Sequence, residues 1–525
     1  MSHVQSFNRR IVLLSVLFMF LLVGICGTMA VYVLSDRGLH RAVSLAHLAV
    51  EVEHMYSGQL DWDGMFRSAM DEMFLQLDRY SSYVEPELFE QMDEEMTGSY
   101  GGIGVTVIPH QRGLMIMSVR EGGPASRGGL LTGDVIIQAD GVVLAQVSPE
   151  RASSLLRGRE DTEVAVKVLR PVSDDTLLLD ITRSRIDLMH VPFAGFTPDS
   201  ILYLRLLDFD AGASEELAEA LDSLLADRKR TPCGVILDLR GNPGGLFAEA
   251  YRTANLFLEA GRFIVGTDSR SRWNREAHYS SGQDRTGGLP MAVMVDRGTA
   301  SAAEIVAGAL RQLGRAVLVG DTTFGKGLVQ GFTRFPDGSG LRLTISRYYL
   351  DGDVYLNEFD STLNDTGHGL VPDHYLRSVE RSEFPRALEN SLLLYKFAHE
   401  HQDEIIAASD GFRLSDDWLR RLERFAVREN FRFVSRATRG AQLLVDLSRL
   451  ERARIQTVKA VGELLRRARA DDARQFAKYA DYIKMRLQQI ACERRFGTYE
   501  AYARVLIHQR PEIQTASRLL REPST

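Results

Sequence analysis

Cysteine is scarce: three in 525 residues, at Cys26, Cys233 and Cys492, far apart and in unlike contexts. No two have metal-ligand spacing, so neither a disulfide framework nor a structural zinc site is expected. Proline is low at 15, and there is no internal repeat or low-complexity stretch. With 45% apolar and 25% charged residues, collagen-like and disordered classes are excluded, and the length suits roughly three or four folding units. Several catalytic and nucleotide motifs are also missing. There is no Gly-x-Ser-x-Gly elbow, no P-loop and no dinucleotide fingerprint, and none of the 12 histidines sits in a triad context.

One long apolar run stands out. Residues 11–34 carry no charge over 24 positions, follow Arg9 and Arg10, and precede Asp36 and Arg37. About 20 such residues span a bilayer, and signal-peptide cores are shorter. The run therefore predicts an uncleaved transmembrane anchor, although Thr28-Met29-Ala30 would tolerate cleavage. Val23-Gly24-Ile25-Cys26 matches a lipoprotein box only loosely. Basic residues before the span predict a cytoplasmic 1–10 segment, a single pass through the inner membrane, and a body in the periplasm or its equivalent.

Beyond the run, apolar spacings of three and four predict a helical region over 38–96. Short β-type runs separated by glycine predict a small β domain over 97–185. Strands then alternate with helices over 190–380, the pattern of an α/β sheet. The remainder, 390–525, reads as helical and Arg-rich. The net charge of −7 hides an asymmetry: residues 381–525 hold 28 Lys+Arg against 20 Asp+Glu, so the rest is acidic. The bland reading is a solvated basic face on a docked helical domain. The sharper one is docking on the acidic body of the same or a neighbouring subunit.

Three segments bear on chemistry. Strand-like Met291–Asp296 runs through a turn into Ser301, which opens an amphipathic helix. A serine there is either a plain N-cap or a nucleophile close to helix N-terminal amides. Lys326 stands in Phe324-Gly-Lys-Gly-Leu-Val-Gln330, among apolar neighbours. Burial would lower its pKa and make it a usable base, with Gln330 at i+4 on the same strand face to orient it. The alternative is an exposed hairpin lysine. In Val235–Leu246, a buried strand enters Arg240-Gly-Asn-Pro-Gly-Gly245, whose amides can converge on an anion, a phosphate included.

In order along the chain, Leu77–Tyr83, Gly101–Gly104, Gly123–Leu130 with Gly133-Asp134, Asp238–Gly245, Thr299–Glu304, Gly325-Lys326 with Gln330, and Gly369–Asp373 resemble the carboxyl-terminal processing peptidases. These are serine peptidases with a Ser-Lys dyad and a PDZ domain. The resemblance covers residues 77–373, and the tail looks like the helical extension of longer members. It implies Ser301 as nucleophile, Lys326 as general base and Gln330 as its orienter. The amides of Ala302 and of Gly244 or Gly245 would form the oxyanion hole. Arg240 and Glu304 would be scaffolding. After Arg347–Leu350 this chain has Asp351-Gly-Asp where the family has Thr-Pro-Ser-Gly, so its local strand geometry is expected to differ.

In the PDZ-like reading, Gly101, Gly102, Ile103, Gly104 and Val105 free successive amides for a terminal carboxylate while a peptide adds a strand. The expected architecture is thus an α/β peptidase core and a small β domain, behind a transmembrane helix and before a helical tail. The expected activity is endoproteolysis of envelope proteins near free C-termini. The competing reading is a catalytically silent scaffold that binds unfolded tails. No metal and no cofactor enter either. The implied partners are peptide substrates, the membrane through residues 11–34, further copies of the chain and an adaptor; an exported protein would not meet nucleic acid.

Overall fold

Five-residue apolar runs bounded by glycine or charge form a central sheet, because residues pointing to either face find a buried partner. In a computed structural model, residues 37–521 are described except 97, 121, 171–174, 188, 271–274, 353, 360–364, 377–381, 410–412 and 451–454. The chain divides into residues 1–75 and 76–525. The first unit contributes helices Arg37–Met55 and Trp62–Phe74, the second N-capped by Asp61, which accepts the Gly64 amide at 3.0 Å.

The expected membrane anchor requires correction. Residues 11–34 lie outside the described residues, and no helix among the described residues is long and apolar enough to cross a membrane. Helix Arg37–Met55 is long enough, but its arginines, glutamates and histidines recur along its length. The single-pass anchor and the periplasmic placement built on it are therefore set aside.

In the second unit, the central sheet has the order Phe193–Phe196, Ile201–Arg205, Gly234–Asp238, Met291–Val295, Val317–Gly320, His374–Tyr375. Its first pair is antiparallel and the others parallel. Leu202, Leu204, Val235, Leu237, Val293 and Val295 face one core, with residues of helices Ala213–Leu225, Phe247–Asn255 and Ala302–Gln312. The alternate residues Ile201, Tyr203, Ile236, Ala292 and Met294 face a second core, completed by Ile507, Ile513 and Ala516 from the end of the chain. Burial on both faces explains why these strands read as continuous apolar runs.

A second, antiparallel sheet is built on the long strand Gly340–Leu350. Leu328–Arg334 pairs along one edge, while Ser82–Val84 and Phe263–Asp268 pair along the other. At the departure from the family pattern, the chain turns at Asp351-Gly352, with φ 73° at the glycine, and returns as Val354–Tyr355 against Tyr349 and Leu350. The small β domain is a five-strand antiparallel sheet from Val105–His110 to Asp175–Thr182, with a two-residue strand at Val142–Val143 and helix Pro149–Leu156. Strand Glu163–Arg170 alternates as the sequence implies, with Val164, Val166 and Val168 buried.

From helix Glu383–Asn390 onward the described tail is helical. It packs on the β domain through Phe384, Tyr395, Ile483 and Leu487 against Met115 and Val135, and on the central sheet through helix Pro511–Arg521. The closeness of the first contact shows at Gly133, where an added Cβ would lie 2.8 Å from the Tyr395 ring.

Candidate active site

The buried strand Met291–Val295 delivers a turn that is tied to the neighbouring strand's loop. Asp296 accepts the amides of Gly241 at 2.7 Å and Gly298 at 2.8 Å, and Thr299 Oγ1 donates to the Leu239 carbonyl at 2.8 Å. Ser301 follows with φ 55° and ψ −118°. An ordinary N-cap serine is extended. A positive φ at a non-glycine residue costs of order 1–3 kcal/mol and persists only where its surroundings over-determine it.

Glu304, one turn into helix Ala302–Gln312, supplies much of that determination. Its fully buried carboxylate accepts the amides of Ser301 at 2.9 Å, Gly325 at 2.7 Å and Lys326 at 2.9 Å, and the Thr323 hydroxyl at 2.5 Å. One side chain thus joins the serine turn to the lysine loop. Burial pushes its pKa up, and the four donors oppose that shift.

Lys326 precedes the strand rather than lying in it, since the strand runs Leu328–Arg334. The contact expected from i, i+4 spacing nevertheless forms: Nζ donates to Gln330 Oε1 at 3.3 Å. Gln330 Nε2 in turn donates to the Tyr80 carbonyl at 2.9 Å, which fixes which end of the amide faces the lysine. The Tyr80 ring lies 5.0 Å from Nζ. The lysine pKa is lowered, by burial first and by the Arg342 charge second, against opposing effects of Asp78 and Glu304. A neutral amide orients such an amine without holding it charged.

Ser301, Ala302, Gly245, Lys326, Gln330 and Tyr348 line one cleft of about 250 Å³, with apolar walls from Phe247, Ile305 and Leu328. The two candidate glycines differ. Gly244 has φ 101°, and a Cβ there would lie 2.8 Å from that of Ser301; its amide already donates to Asn242 Oδ1 at 2.9 Å. Gly245 faces the cleft, and the Ala302 amide belongs to the first helical turn, where amides have no intrahelical acceptor.

Beneath this loop Asp238 is buried against Arg240, Arg205 and the Tyr203 hydroxyl. Burial disfavours its ionisation, but the two guanidiniums outweigh that and hold its carboxyl well below the usual range. Glu512 of the last helix lies 3.7 Å from Arg240.

The predicted peptide-binding residues run from the end of strand Ser99–Gly102 through Ile103 and Gly104 into strand Val105–His110, well separated in sequence from the cleft residues. Gly101 and Gly102 pair with Arg185 and Ser184. A Cβ on Gly101 would lie 2.1 Å from the Gly158 carbonyl, so close packing accounts for this glycine. Ile103 is only 2% exposed and belongs to the domain core. Gly104 has φ 75° and Val105 opens the next strand.

Sequence reasoning missed Tyr80, Arg342 and Asn242 as contributors. The first lay inside the quoted Leu77–Tyr83 segment without a role. Its part is played by a backbone carbonyl, which side-chain chemistry does not reveal.

The model of peptidase family S41 matches residues 200–360, and that of the PDZ domain matches residues 101–182. The carboxy-terminal processing protease CtpA of Bacillus subtilis is 32% identical over 299 residues, 57% of this chain and 63% of its own length. The carboxyl-terminal-processing protease of a Synechocystis species is 34% identical over 289 residues, 54% of this chain and 66% of its own. The chain thus spans just under two thirds of these relatives. The carboxy-terminal-processing protease of Bartonella bacilliformis is 31% identical over 313 residues, 59% of this chain and 69% of its own. A solved photosystem II D1 C-terminal processing protease, 26% identical, aligns over 63% of this chain and 86% of its own with a TM-score of 0.39, too loose to bear on the site. On the sequence relationships, the chain belongs to the carboxyl-terminal processing peptidases, S41 serine peptidases that carry a PDZ domain.

Proposed function

We propose that this protein is an endopeptidase that cleaves polypeptides near their C-termini through a Ser301–Lys326 dyad. The observation that carries the reading is the shared cleft, lined by a strained serine, a partly buried lysine held by a neutral amide, Gly245 and Ala302. The neutral Lys326 amine accepts the Ser301 hydroxyl proton as Oγ attacks the scissile carbonyl. The amides of Gly245 and Ala302 stabilise the tetrahedral oxyanion. The Lys326 ammonium then returns its proton to the leaving amine, and the acyl-serine is hydrolysed by a water that Lys326 deprotonates. The apolar cleft walls suit an uncharged side chain beside the scissile bond.

The segment Gly101–Val105 is the proposed recognition site for the substrate's free carboxylate. Processing at the carboxyl terminus, stated in the relatives' names, comes to this chain as part of the same proposal. The binding-scaffold reading shares this segment but predicts no turnover. Incubating the protein with an unstructured polypeptide and identifying the fragments by mass spectrometry decides between them. Cleavage by the parent and none by Ser301→Ala supports the proposal; intact substrate with both sinks it.

A further inference from the structure

We infer that Arg342 is a positioning residue for the base: anchored on the same Tyr80 carbonyl as Gln330, it sets a fixed positive charge beside Lys326 and keeps that amine in its proton-accepting form. The inference rests on the proposed role of Lys326.

The arrangement follows from strand register. Gln330 pairs with Thr344, and Phe332 pairs with Arg342, so Gln330 and Arg342 are diagonal neighbours on one sheet face. On the other edge of the long strand, Ser82 pairs with Arg342, which brings the preceding Tyr80 over that face. The Tyr80 carbonyl accepts from Gln330 Nε2 and from Arg342 Nε, each at 2.9 Å. Among the described residues Arg342 forms no ion pair, although it is half-buried. A guanidinium in that position costs desolvation that a neutral donor to the same carbonyl would avoid.

The neighbouring charges have other fixed engagements. Asp78 influences both cations, yet its carboxylate accepts the amides of Tyr80 and Ser81 and the hydroxyls of Ser81 and Thr344. Glu304 is held by its four donors, two of them amides of the lysine loop itself. Arg79 donates to the Tyr80 hydroxyl at 2.7 Å, and the Tyr348 hydroxyl donates to the Lys326 carbonyl at 2.8 Å. Arg342 is the cation whose anchor is shared with the residue that orients the base. Repulsion from that like charge disfavours the ammonium, the direction in which the Lys326 pKa is displaced.

The test is the pH dependence of kcat/KM for one peptide substrate, measured on the full chain for the parent, R342Q, R342K and K326A. R342Q offers a neutral donor and R342K retains the charge. The expected result is an acidic limb displaced upward by about one unit in R342Q, hence about tenfold lower kcat/KM well below the limb and near-parental values at its alkaline plateau. R342K should return the limb towards the parent's position. A uniform loss in R342Q at every pH would show a merely structural prop and overturn the inference, as would an unmoved limb. Unfolding of R342Q, seen in its thermal melt, leaves R342K decisive: a limb displaced as far as one unit despite the retained charge would overturn the inference, and a parental limb would support it. Parent-like activity in K326A would instead overturn the dyad itself, so the two failures are distinguishable.

Discussion

At Ser301, backbone strain falls on the proposed nucleophile. Its φ of 55° is imposed by the turn on one side and by Glu304 on the other, and glycine would adopt it without penalty. Ser301→Gly and Ser301→Ala both remove the hydroxyl, so both should abolish turnover. Ser301→Gly should nevertheless be about 1 kcal/mol more stable than Ser301→Ala in chemical denaturation. Equal stabilities would show that the turn is not strained. The lysine makes a second prediction with a definite sign. Only its neutral form accepts a proton, and burial and Arg342 lower its pKa, so kcat/KM should rise with pH through a limb below the ordinary lysine range. A rate that falls over the same interval would exclude Lys326 as the base. That Ser301, Lys326 and Gln330 belong together was legible because local chemistry and order along the chain mark them, and they line one cleft. Tyr80 and Arg342 were not, because their roles arise when strands far apart in sequence are brought into register.

At the scale of elements, the sequence left two readings of the tail, solvated arginine faces on a docked helical domain or electrostatic docking on the acidic body. The tail's arginines allowed electrostatic docking, but among the described residues most of their carboxylate partners lie within the tail, as with Arg486–Glu389, Arg421–Glu404 and Arg466–Glu463. The contact with the body has an apolar centre with ion pairs Arg240–Glu512 and Arg521–Asp199 beside it, and Ile513 lies buried against the sheet that carries Asp238 and Met291–Val295. Charge counts are visible in a sequence, whereas the partner of an apolar helix face is not. Ile513→Asp should cost at least about 3 kcal/mol by burying an unpaired carboxylate, read from denaturant unfolding. Salt near 1 M, where the Debye length is only about 3 Å, should leave hydrogen-exchange protection of Met291–Val295 unchanged. Loss of protection at high salt would restore the electrostatic account. The strands and helices around Ser301 were legible because parallel strands buried on both faces leave unbroken apolar runs.

In the molecule as a whole, the PDZ-like domain and the peptidase cleft lie in one unit with the tail packed on both. If the Gly101–Val105 segment reads a terminal carboxylate, amidating the substrate's C-terminus should lower its cleavage several-fold or more; equal rates for acid and amide would remove that role. The central claim is that Ser301 and Lys326 act as one unit. It is tested most directly by kcat/KM for a single peptide with the parent, Ser301→Ala, Lys326→Ala and the double variant. The account predicts losses of about a thousandfold or more in each single variant and no further loss in the double, because members of one catalytic unit are not additive. Parental turnover by Ser301→Ala, or losses that multiply in the double variant, would contradict it.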